Sequence, residues 1–332
     1  MISSDRDRYN QIHHQALRGF SGRVSSELTI LLYHGVFDGL APGIANYNGK
    51  HVPVDQFRDH MRFIHDHCAV LTMDEVAEIA ASGKPWPRRA VAVTFDDGFS
   101  NNRTLAADVL VDSGVPATFY VCPGLINTTM MFWVDQLEDC LNRSLRAQIS
   151  VVLDGIERCF IIDGDEKRIE ALDTIKSVCK RVPLKEKTRI LQEVSDATGI
   201  LPTPDAWSHY RPATWKEIRE LADESLFIVG GHSLYHDILA LQGDERAAQD
   251  IHASLRLLEY QLEMPIRHYS YPEGQKNHFN DSIISTLKSE GVVSSPSAIL
   301  GLNPVGSDPF HLRRIMVGFY GTLFPFLDPA LA

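Results

Sequence analysis

The chain has 332 residues, of which 44% are hydrophobic and 23% are charged, and its formal net charge is −11. This composition is typical of a globular protein with a large core. An acidic chain without a run of Lys or Arg argues against binding to a nucleic-acid backbone. The five cysteines are odd in number and none forms a CxxC pair, which argues against a disulfide framework and a thiolate zinc site.

The amino-terminal stretch is polar and lacks the apolar segment of a signal peptide. The longest apolar runs fall short of the roughly 20 residues that a membrane helix needs. We therefore expect a polar lead over residues 1–27, no transmembrane segment and a cytoplasmic location.

Strands and helices alternate in the first part of the chain. Strands are predicted in "ELTILLYHGV", "AVAVTF" and "VPATFYV", and helices in residues 54–68, "LTMDEVAEIAASG" and "NNRTLAADVLVDSG". In the second of these helices, Thr72 and Glu75 form a capping box. This alternation favours parallel strands with helices outside them.

The alternation breaks near Asn127 and resumes at "RPATWKEIRELADE", where Thr214 and Glu217 form a second capping box. Between them, "ISVVLDGIERCFIID" predicts a hairpin around an Asp-Gly turn, with charged helices after it. Strands in "SLFIVGG" and "IRHYSYPEGQ" and helices in "DERAAQDIHASLRLLEYQLE" and "FNDSIISTLKSEG" follow. We predict an α/β barrel over residues 28–127 and 207–332, with a mainly helical insertion over residues 128–206.

Two adjacent carboxylates, Asp96 and Asp97, come directly after the apolar strand "AVAVTF". Two like charges at this point resist burial unless a cation is present or one of them is protonated. In barrels of this class the catalytic groups gather at the carboxyl ends of the strands, where this pair falls. A solvated Asp-Asp-Gly turn is the alternative interpretation.

Two histidines, His232 and His236, follow another apolar strand in "GGHSLYHD". On a helical turn both imidazoles would lie on one face, within reach of one ion. Two imidazoles and a carboxylate suit a catalytic divalent metal, and the other carboxylate could act as a general base. The cation would also remove the repulsion between the paired aspartates.

Three motifs in this order, "TFDDGF", "HSLYH" and "YSYPEG", resemble the polysaccharide deacetylase family, carbohydrate esterase family 4. The resemblance covers about residues 28–127 and 212–319. "ILLYHGV" and "PFHLRRIMVG" resemble the branch of the family that has an amino-terminal Tyr-His strand. The resemblance implies a distorted (β/α) barrel of about seven strands with a metal at the strand ends.

The resemblance also implies a role for each motif residue. Asp97, His232 and His236 would bind a divalent metal, most often Zn²⁺, with Co²⁺, Mn²⁺, Ni²⁺ and Fe²⁺ as alternatives. Asp96 would be the general base for the attacking water. The backbone N–H of Tyr271 would help to stabilise the oxyanion.

The leaving amine needs a general acid, because an amide anion is a poor leaving group. The Tyr-His branch of the family implies His34, at the end of the first predicted strand. His311, in "DPFHLRR", is the alternative candidate and otherwise a surface residue.

Three further residues are predicted to contact the substrate. Glu273, in "YPEG", either faces the substrate or is a solvated turn residue. Arg267 is the counterpart that the resemblance suggests for the family's arginine. Trp133, with Asp135 beside it in the insertion, either overhangs the site or packs under the barrel rim.

Two other groups of polar side chains receive structural interpretations. Asn101 and Asn102 are expected to cap the helix that follows the aspartate pair. His60, His65 and His67 are expected to form the solvated face of an amphipathic helix.

These residues favour a metal-dependent hydrolase that removes N-acetyl groups from an amino-sugar-containing glycan or glycan precursor. The first alternative keeps the metal site and hydrolyses a non-sugar amide. The second is a catalytically degenerate barrel that binds glycan without turnover. The expected partner is an N-acetylated sugar or glycan, with no nucleic acid, and the sequence gives no indication of an oligomeric state.

Overall fold

A computed structural model describes residues 27–319 and 324–326. The predicted polar lead lies outside the described residues apart from Glu27. The strands are β1 Glu27–Tyr33, β2 Gly35–Phe37, β3 His51–Pro53, β4 Ala69–Val70, β5 Ala90–Phe95, β6 Ala117–Val121, β7 Gln148–Leu153, β8 Ile156–Ile161, β9 Phe227–Gly231, β10 Asn303–Pro304 and β11 Ile315–Met316. The helices are α1 Val54–His67, α2 Met73–Ser82, α3 Ala107–Ser113, α4 Trp133–Arg143, α5 Asp165–Cys179, α6 Leu184–Thr198, α7 Trp215–Ala222, α8 Asp244–Leu262 and α9 Asp281–Ser289.

The central sheet has seven strands, and β1, β5, β6 and β9 lie side by side in parallel. Tyr33 is opposite Phe95, which is opposite Phe119, so three neighbouring strands end at nearly the same level. The three rings stack with centroids 5.4 and 5.0 Å apart and fill the core beneath these strand ends. The predicted α/β class with a parallel sheet is confirmed.

The regular strands alone leave the sheet open, and irregular segments continue its pairing around the molecule. Gly231 at the end of β9 bridges to Tyr269, and His268 bridges to Ser294. Further along, Leu300 bridges to Arg314, and β11 pairs in parallel with β1. These contacts lead from β9 back to β1, which gives the fold the character of a distorted barrel.

The strand predicted in "IRHYSYPEGQ" is not regular. Its backbone N–H groups alternate between neighbours on both sides, Tyr269 donating to Ser294 and Ser270 donating to Gly231. Pro265 and Pro272 lie on either side of it. Because proline has no N–H to donate, only a short bridge forms between them.

Both predicted capping boxes are present. Thr72 and Glu75 begin α2, and Thr214 and Glu217 begin α7, with reciprocal side-chain to backbone hydrogen bonds in each pair. Within the described residues, no helix has the length and hydrophobicity needed to cross a bilayer. The cytoplasmic location stays a prediction.

Residues 128–206 contain α4, the β7–β8 hairpin, α5 and α6, which share a hydrophobic cluster. The predicted Asp-Gly turn is present, with Asp154 and Gly155 both at positive φ. Ile44, from the loop between β2 and β3, also packs into this cluster. The domain boundaries at residues 128 and 206 stay a prediction.

Candidate active site

Four of the predicted site residues lie just beyond the carboxyl ends of parallel strands. His34 follows β1, Asp96 and Asp97 follow β5, and His232 follows β9. Together with His236 they line one cavity of about 290 Å³. Level strand ends therefore place residues that are far apart in the sequence around a single space.

Three buried side chains form a candidate metal centre. The Asp97 Oδ1 atom lies 3.6 Å from His232 Nε2 and 3.4 Å from His236 Nε2. One ligand atom from each residue lies within 4.8 Å of the others. Burial lowers the pKa of both imidazoles, which favours the neutral form that binds metals.

The histidine pair does not lie on a helical turn, so that part of the prediction is wrong. Residues 232–238 form a loop in which Ser233 and His236 have positive φ. The Ser233 N–H donates to the Tyr269 hydroxyl at 2.7 Å, and the Leu234 N–H donates to Asp250 at 2.8 Å. These bonds to neighbouring elements replace helical bonds and still bring the imidazoles together.

A hydrogen bond fixes the orientation of His232. Its Nδ1 atom donates to the Ser270 carbonyl oxygen at 2.8 Å, because a carbonyl can only accept. In the neutral imidazole, Nε2 then carries the lone pair and faces Asp97. Such a bond on the opposite ring nitrogen is the usual support of a metal-binding histidine.

The residues fit a divalent cation. Asp97 Oδ1 is buried without a hydrogen-bond partner, and burial raises the pKa of this carboxyl well above its usual range. The backbone at Asp97 has φ 81°, a region that costs energy for any residue other than glycine. A cation between Asp97, His232 and His236 would satisfy the orphaned oxygen and offset its desolvation.

Asp96 is held by an arginine that sequence analysis missed. The Arg314 Nη1 and Nη2 atoms donate to Asp96 Oδ1 and Oδ2, each at 2.7 Å, and the Ser270 hydroxyl donates at 3.2 Å. Burial alone would raise the pKa of Asp96, but Arg314 and His232 bring it down to about 2. Asp96 is therefore an ionised and fixed carboxylate at neutral pH.

Arg267 does not occupy this position. Its side chain is half exposed and pairs with Asp74 at 3.1 Å, and it is not among the described residues that line the cavity. Arg267 precedes an irregular segment and points away from it, whereas Arg314 precedes β11 and points inwards. "HLRRIM" contains two adjacent arginines before a short strand, the one sequence signal that could have suggested an inward arginine.

His34 lines the cavity at the break between β1 and β2. The strand predicted to continue to Val36 ends at Tyr33, because the Asn102 amide donates to the His34 carbonyl oxygen at 2.8 Å and the chain then turns to pair with β3. His34 Nδ1 is buried without a partner, and burial lowers the pKa of the ring to about 3. The resting imidazole is thus neutral.

Tyr271 lies beside the site with its ring buried and stacked on Phe279 at 4.1 Å. Its hydroxyl donates to the Phe310 carbonyl oxygen at 3.1 Å. Its backbone N–H makes a long bond of 3.5 Å to the Pro296 carbonyl oxygen. The role of this N–H in stabilising an oxyanion stays a prediction.

Glu273 faces the cavity, so the alternative of a solvated turn residue is wrong. Its carboxylate pairs with Lys180 of the insertion at 2.6 Å. Burial would raise the pKa of Glu273, but Lys180 and His236 bring it down to about 2. The backbone at Glu273 has φ 59°, another left-handed residue at the site.

Trp133 packs in the hydrophobic cluster of the insertion and is not among the described residues that line the cavity. The next residue, Val134, does line it. The structure therefore does not show Trp133 overhanging the site, and its packing partners belong to the cluster of the insertion. Asp135 is buried and pairs with Lys50, a cavity residue.

Three smaller expectations have mixed outcomes. Asn101 caps no helix through its side chain, and its amide donates to His51 and His209 instead. His60 is buried and stacked on Phe324 at 4.1 Å, so it is not part of a solvated face. His311 is a surface residue that pairs with Asp308.

Three lysines of the cavity wall were also missed: Lys50, Lys176 and Lys180. Lys50 is the last residue of the β2–β3 loop, Lys176 lies in the last turn of α5, and Lys180 directly follows that helix. The spacing of four residues between Lys176 and Lys180 predicts a shared helix face. No pattern in the sequence predicts that this face meets the site.

Part of this chain is similar to proteins of a known family. The family model described as "Polysaccharide deacetylase" matches residues 83–156, which include Asp96 and Asp97. The predicted family resemblance is confirmed. A protein of Bacillus subtilis (strain 168), named "Putative polysaccharide deacetylase YxkH", is 32% identical over 97 residues. That match covers 29% of this chain and spans about a third (32%) of the relative's length.

Solved structures of deacetylases share the fold. The Streptococcus pyogenes deacetylase PplD, in complex with acetate, matches with a TM-score of 0.57 at 15% identity, over 89% of this chain and 93% of that one. IcaB from Ammonifex degensii matches with a TM-score of 0.56 at 17% identity, over 88% and 92%. At these identities the likeness concerns the polysaccharide deacetylase fold alone.

Proposed function

We propose that the protein is a metal-dependent hydrolase that removes N-acetyl groups from an amino-sugar-containing glycan or glycan precursor. One observation carries the proposal. Asp97, His232 and His236 converge in a cavity that also contains Asp96, a carboxylate that Arg314 keeps ionised. A set of two imidazoles and one carboxylate beside a separate base is suited to hydrolysis of an unactivated amide.

Asp97, His232 and His236 would hold the metal, for which we propose Zn²⁺ or a first-row neighbour. When bound, a divalent cation polarises the acyl carbonyl and lowers the pKa of water. Asp96 accepts a proton from the attacking water, because its carboxylate is ionised and Arg314 prevents its rotation. The new C–O bond forms as the carbonyl oxygen gains negative charge, which N–H donors such as Tyr271 would stabilise.

Breakage of the C–N bond then needs a proton on the leaving nitrogen. We propose His34 as the donor, because it lies on the cavity wall with a buried and unpartnered Nδ1. Its resting form is neutral, so it must gain the proton during turnover. The proton that Asp96 takes from water is the source that balances the reaction, which yields acetate and a free amine.

The test combines metal analysis with an assay of acetate release from N-acetylhexosamine oligomers, with zinc, cobalt, manganese, nickel or iron added. We expect Asp96→Asn to keep the metal and lose turnover, and Asp97→Asn to lose both. Asp66→Asn, a matched change on the exposed face of α1, should leave both unchanged. Stoichiometric metal without hydrolysis of any acylated sugar would reject the proposal. Hydrolysis of non-sugar amides would then favour the alternative amide substrate, and glycan binding without turnover would favour the degenerate barrel.

A further inference from the structure

Lysines line the cavity together with its carboxylates and histidines, although the chain carries a net charge of −11. Lys50, Lys176 and Lys180 all line the cavity. Lys176 and Lys180 belong to the insertion, and Lys50 forms an ion pair with Asp135 of the insertion. The proposed chemistry of water, carbonyl and amine uses none of these three ammonium groups.

Lys50 is the most deeply buried of the three, with 6% of its surface exposed. Its Nζ atom pairs with Asp135 of α4, itself 2% exposed, and lies 4.8 Å from the centre of the Phe99 ring. An apolar pair in this position would stabilise the fold about as well or better, because burying two charges has a large desolvation cost. A buried ion pair that opens onto the site is therefore better explained by a ligand than by stability.

Lys176 and Lys180 lie one helical turn apart at the end of α5. Lys176 donates to the Tyr47 hydroxyl at 3.0 Å and is buried along most of its length. Lys180 pairs with Glu273 across the junction between the insertion and the barrel. These contacts hold both ammonium groups at the cavity wall.

The carboxylate partners of two of these lysines lie behind them. Asp135, the partner of Lys50, and Asp173, which is 3.9 Å from Lys176, are not among the described residues that line the cavity. Asp96 has the reverse order, since it lines the cavity and Arg314 lies behind it. Lys180 instead pairs with Glu273, which itself lines the cavity. The cavity therefore presents ammonium groups beside its carboxylates.

We propose that the N-acylated sugar carries an anionic group, a carboxylate or a phosphate, which Lys50, Lys176 and Lys180 bind while the acyl group lies at the metal site. An ammonium has three N–H donors, so a lysine that pairs with one protein oxygen can also donate to an anion. Oxyanions accept hydrogen bonds from such donors at charge-assisted strength. This inference rests on the proposed function and narrows its substrate to an acidic amino sugar.

The test compares three sugars that differ only at carbon 6: N-acetylglucosamine, N-acetylglucosaminuronic acid and N-acetylglucosamine 6-phosphate. Their binding to the zinc-loaded Asp96→Asn variant is measured by calorimetry, which needs no turnover. We expect at least one charged sugar to bind about tenfold tighter than the neutral one. The preference should weaken as salt is added, since Lys180 is partly exposed. Whichever charged sugar binds better identifies the anion.

Lys180→Gln and Lys50→Gln should abolish the preference for the charged sugar, and Lys180→Arg should retain it. Lys185→Gln, the same change at an exposed position of the insertion, should leave the preference unchanged. Lys180 is the decisive position. It is the most exposed of the three lysines, so its substitution disturbs folding least. Three results would each overturn the inference. They are equal binding of the three sugars, no binding of the charged sugars, and an unchanged preference for the charged sugar in Lys180→Gln. Absence of acetate release from all three sugars would instead count against the proposed function.

Discussion

Arg314 holds Asp96 through two parallel hydrogen bonds, and its own Nε atom donates to the Ser297 carbonyl oxygen at 2.7 Å. The guanidinium is fully buried, so its field acts on Asp96 without much screening by water. A carboxylate held in this way cannot rotate towards the neighbouring Asp97. The ion pair between Arg314 and Asp96 thus gives two adjacent aspartates at one strand end different roles.

Arg314→Met should lower kcat by a factor of a hundred or more, because Asp96 would lose both its orientation and its ionised state. It should also lower the free energy of unfolding by about 3–5 kcal/mol, since a buried carboxylate is left without its partner. Acetate release and chemical denaturation measure the two effects. Arg313→Met, at the exposed neighbour, should change stability by no more than about 0.5 kcal/mol. A kcat near that of the wild type in Arg314→Met would show that Asp96 is not the base.

His34→Gln tests the proposed proton donor. The variant should release acetate roughly a hundredfold more slowly with an unchanged metal content, because His34 lines the cavity without belonging to the candidate metal centre. His311→Gln, a matched change at a surface histidine paired with Asp308, should have no effect. Near wild-type turnover in His34→Gln would assign the proton to another group.

At the scale of elements, the loop after β9 determines how the two histidines meet. Asp250 of α8 accepts the Leu234 N–H at 2.8 Å, and Leu234 lies midway between His232 and His236. Burial raises the pKa of Asp250 to about 6, against the opposing hydrogen bond from Leu234. The carboxylate therefore supports the loop and carries a desolvation cost at neutral pH.

Asp250→Asn should remove a pH dependence of stability. The folded-state pKa of about 6 lies above the unfolded value of 3.8, so the folded state binds more protons between these values and its stability falls as pH rises through them. By pH 7 the cost is about 3 kcal/mol. The asparagine oxygen can still accept from Leu234 without that cost. Denaturation of both proteins between pH 4 and 7 should give a flatter profile for the variant, and parallel profiles would contradict this account.

The sequence predicted those parts of the site that depend on local patterns. Asp96 and Asp97 follow a strand that is apolar throughout, and the spacing of His232 and His236 predicted a shared ligand, although the helical turn assumed between them is absent. The support of Asp96 could not be predicted, because Arg314 lies 218 residues further along the chain. Only the closure of the sheet by β11 brings the two together.

Irregular backbone caused most of the differences between prediction and structure. The segment before Tyr271 follows the apolar pattern of a strand, but Pro265 and Pro272 restrict its hydrogen bonds. The loop after β9 has helical spacing, but bonds to Asp250 and Tyr269 hold it in another conformation. Long-range partners override local propensity in both places, and both lie at the site.

For the whole molecule, the candidate metal centre should couple stability to metal. Burial raises the pKa of Asp97, and its Oδ1 atom has no hydrogen-bond partner. In the metal-free protein this residue therefore destabilises the fold at neutral pH. A bound cation reverses the effect, because it binds the folded state and not the unfolded chain.

Asp97→Asn should accordingly change stability in opposite directions with and without metal. Without metal the variant should be more stable than the wild type at neutral pH, because the asparagine amide avoids the cost of ionising a buried carboxyl. Zinc at a hundred times its Kd should stabilise the wild type by about 2.7 kcal/mol and the variant by much less. Thermal unfolding with and without zinc measures both effects. An equal response of the two proteins to zinc would show that Asp97 is not a ligand.

The closure of the sheet by β11 also sets an order of events at the ribosome. Asp96 leaves the exit tunnel long before Arg314, and at about 5–20 residues per second the 218 residues between them take roughly 10–40 s to make. During this interval β1 lacks its β11 neighbour and the buried carboxylate lacks its counter-charge. The nascent chain can therefore collapse around its aromatic core, but it gains a competent base only when β11 docks.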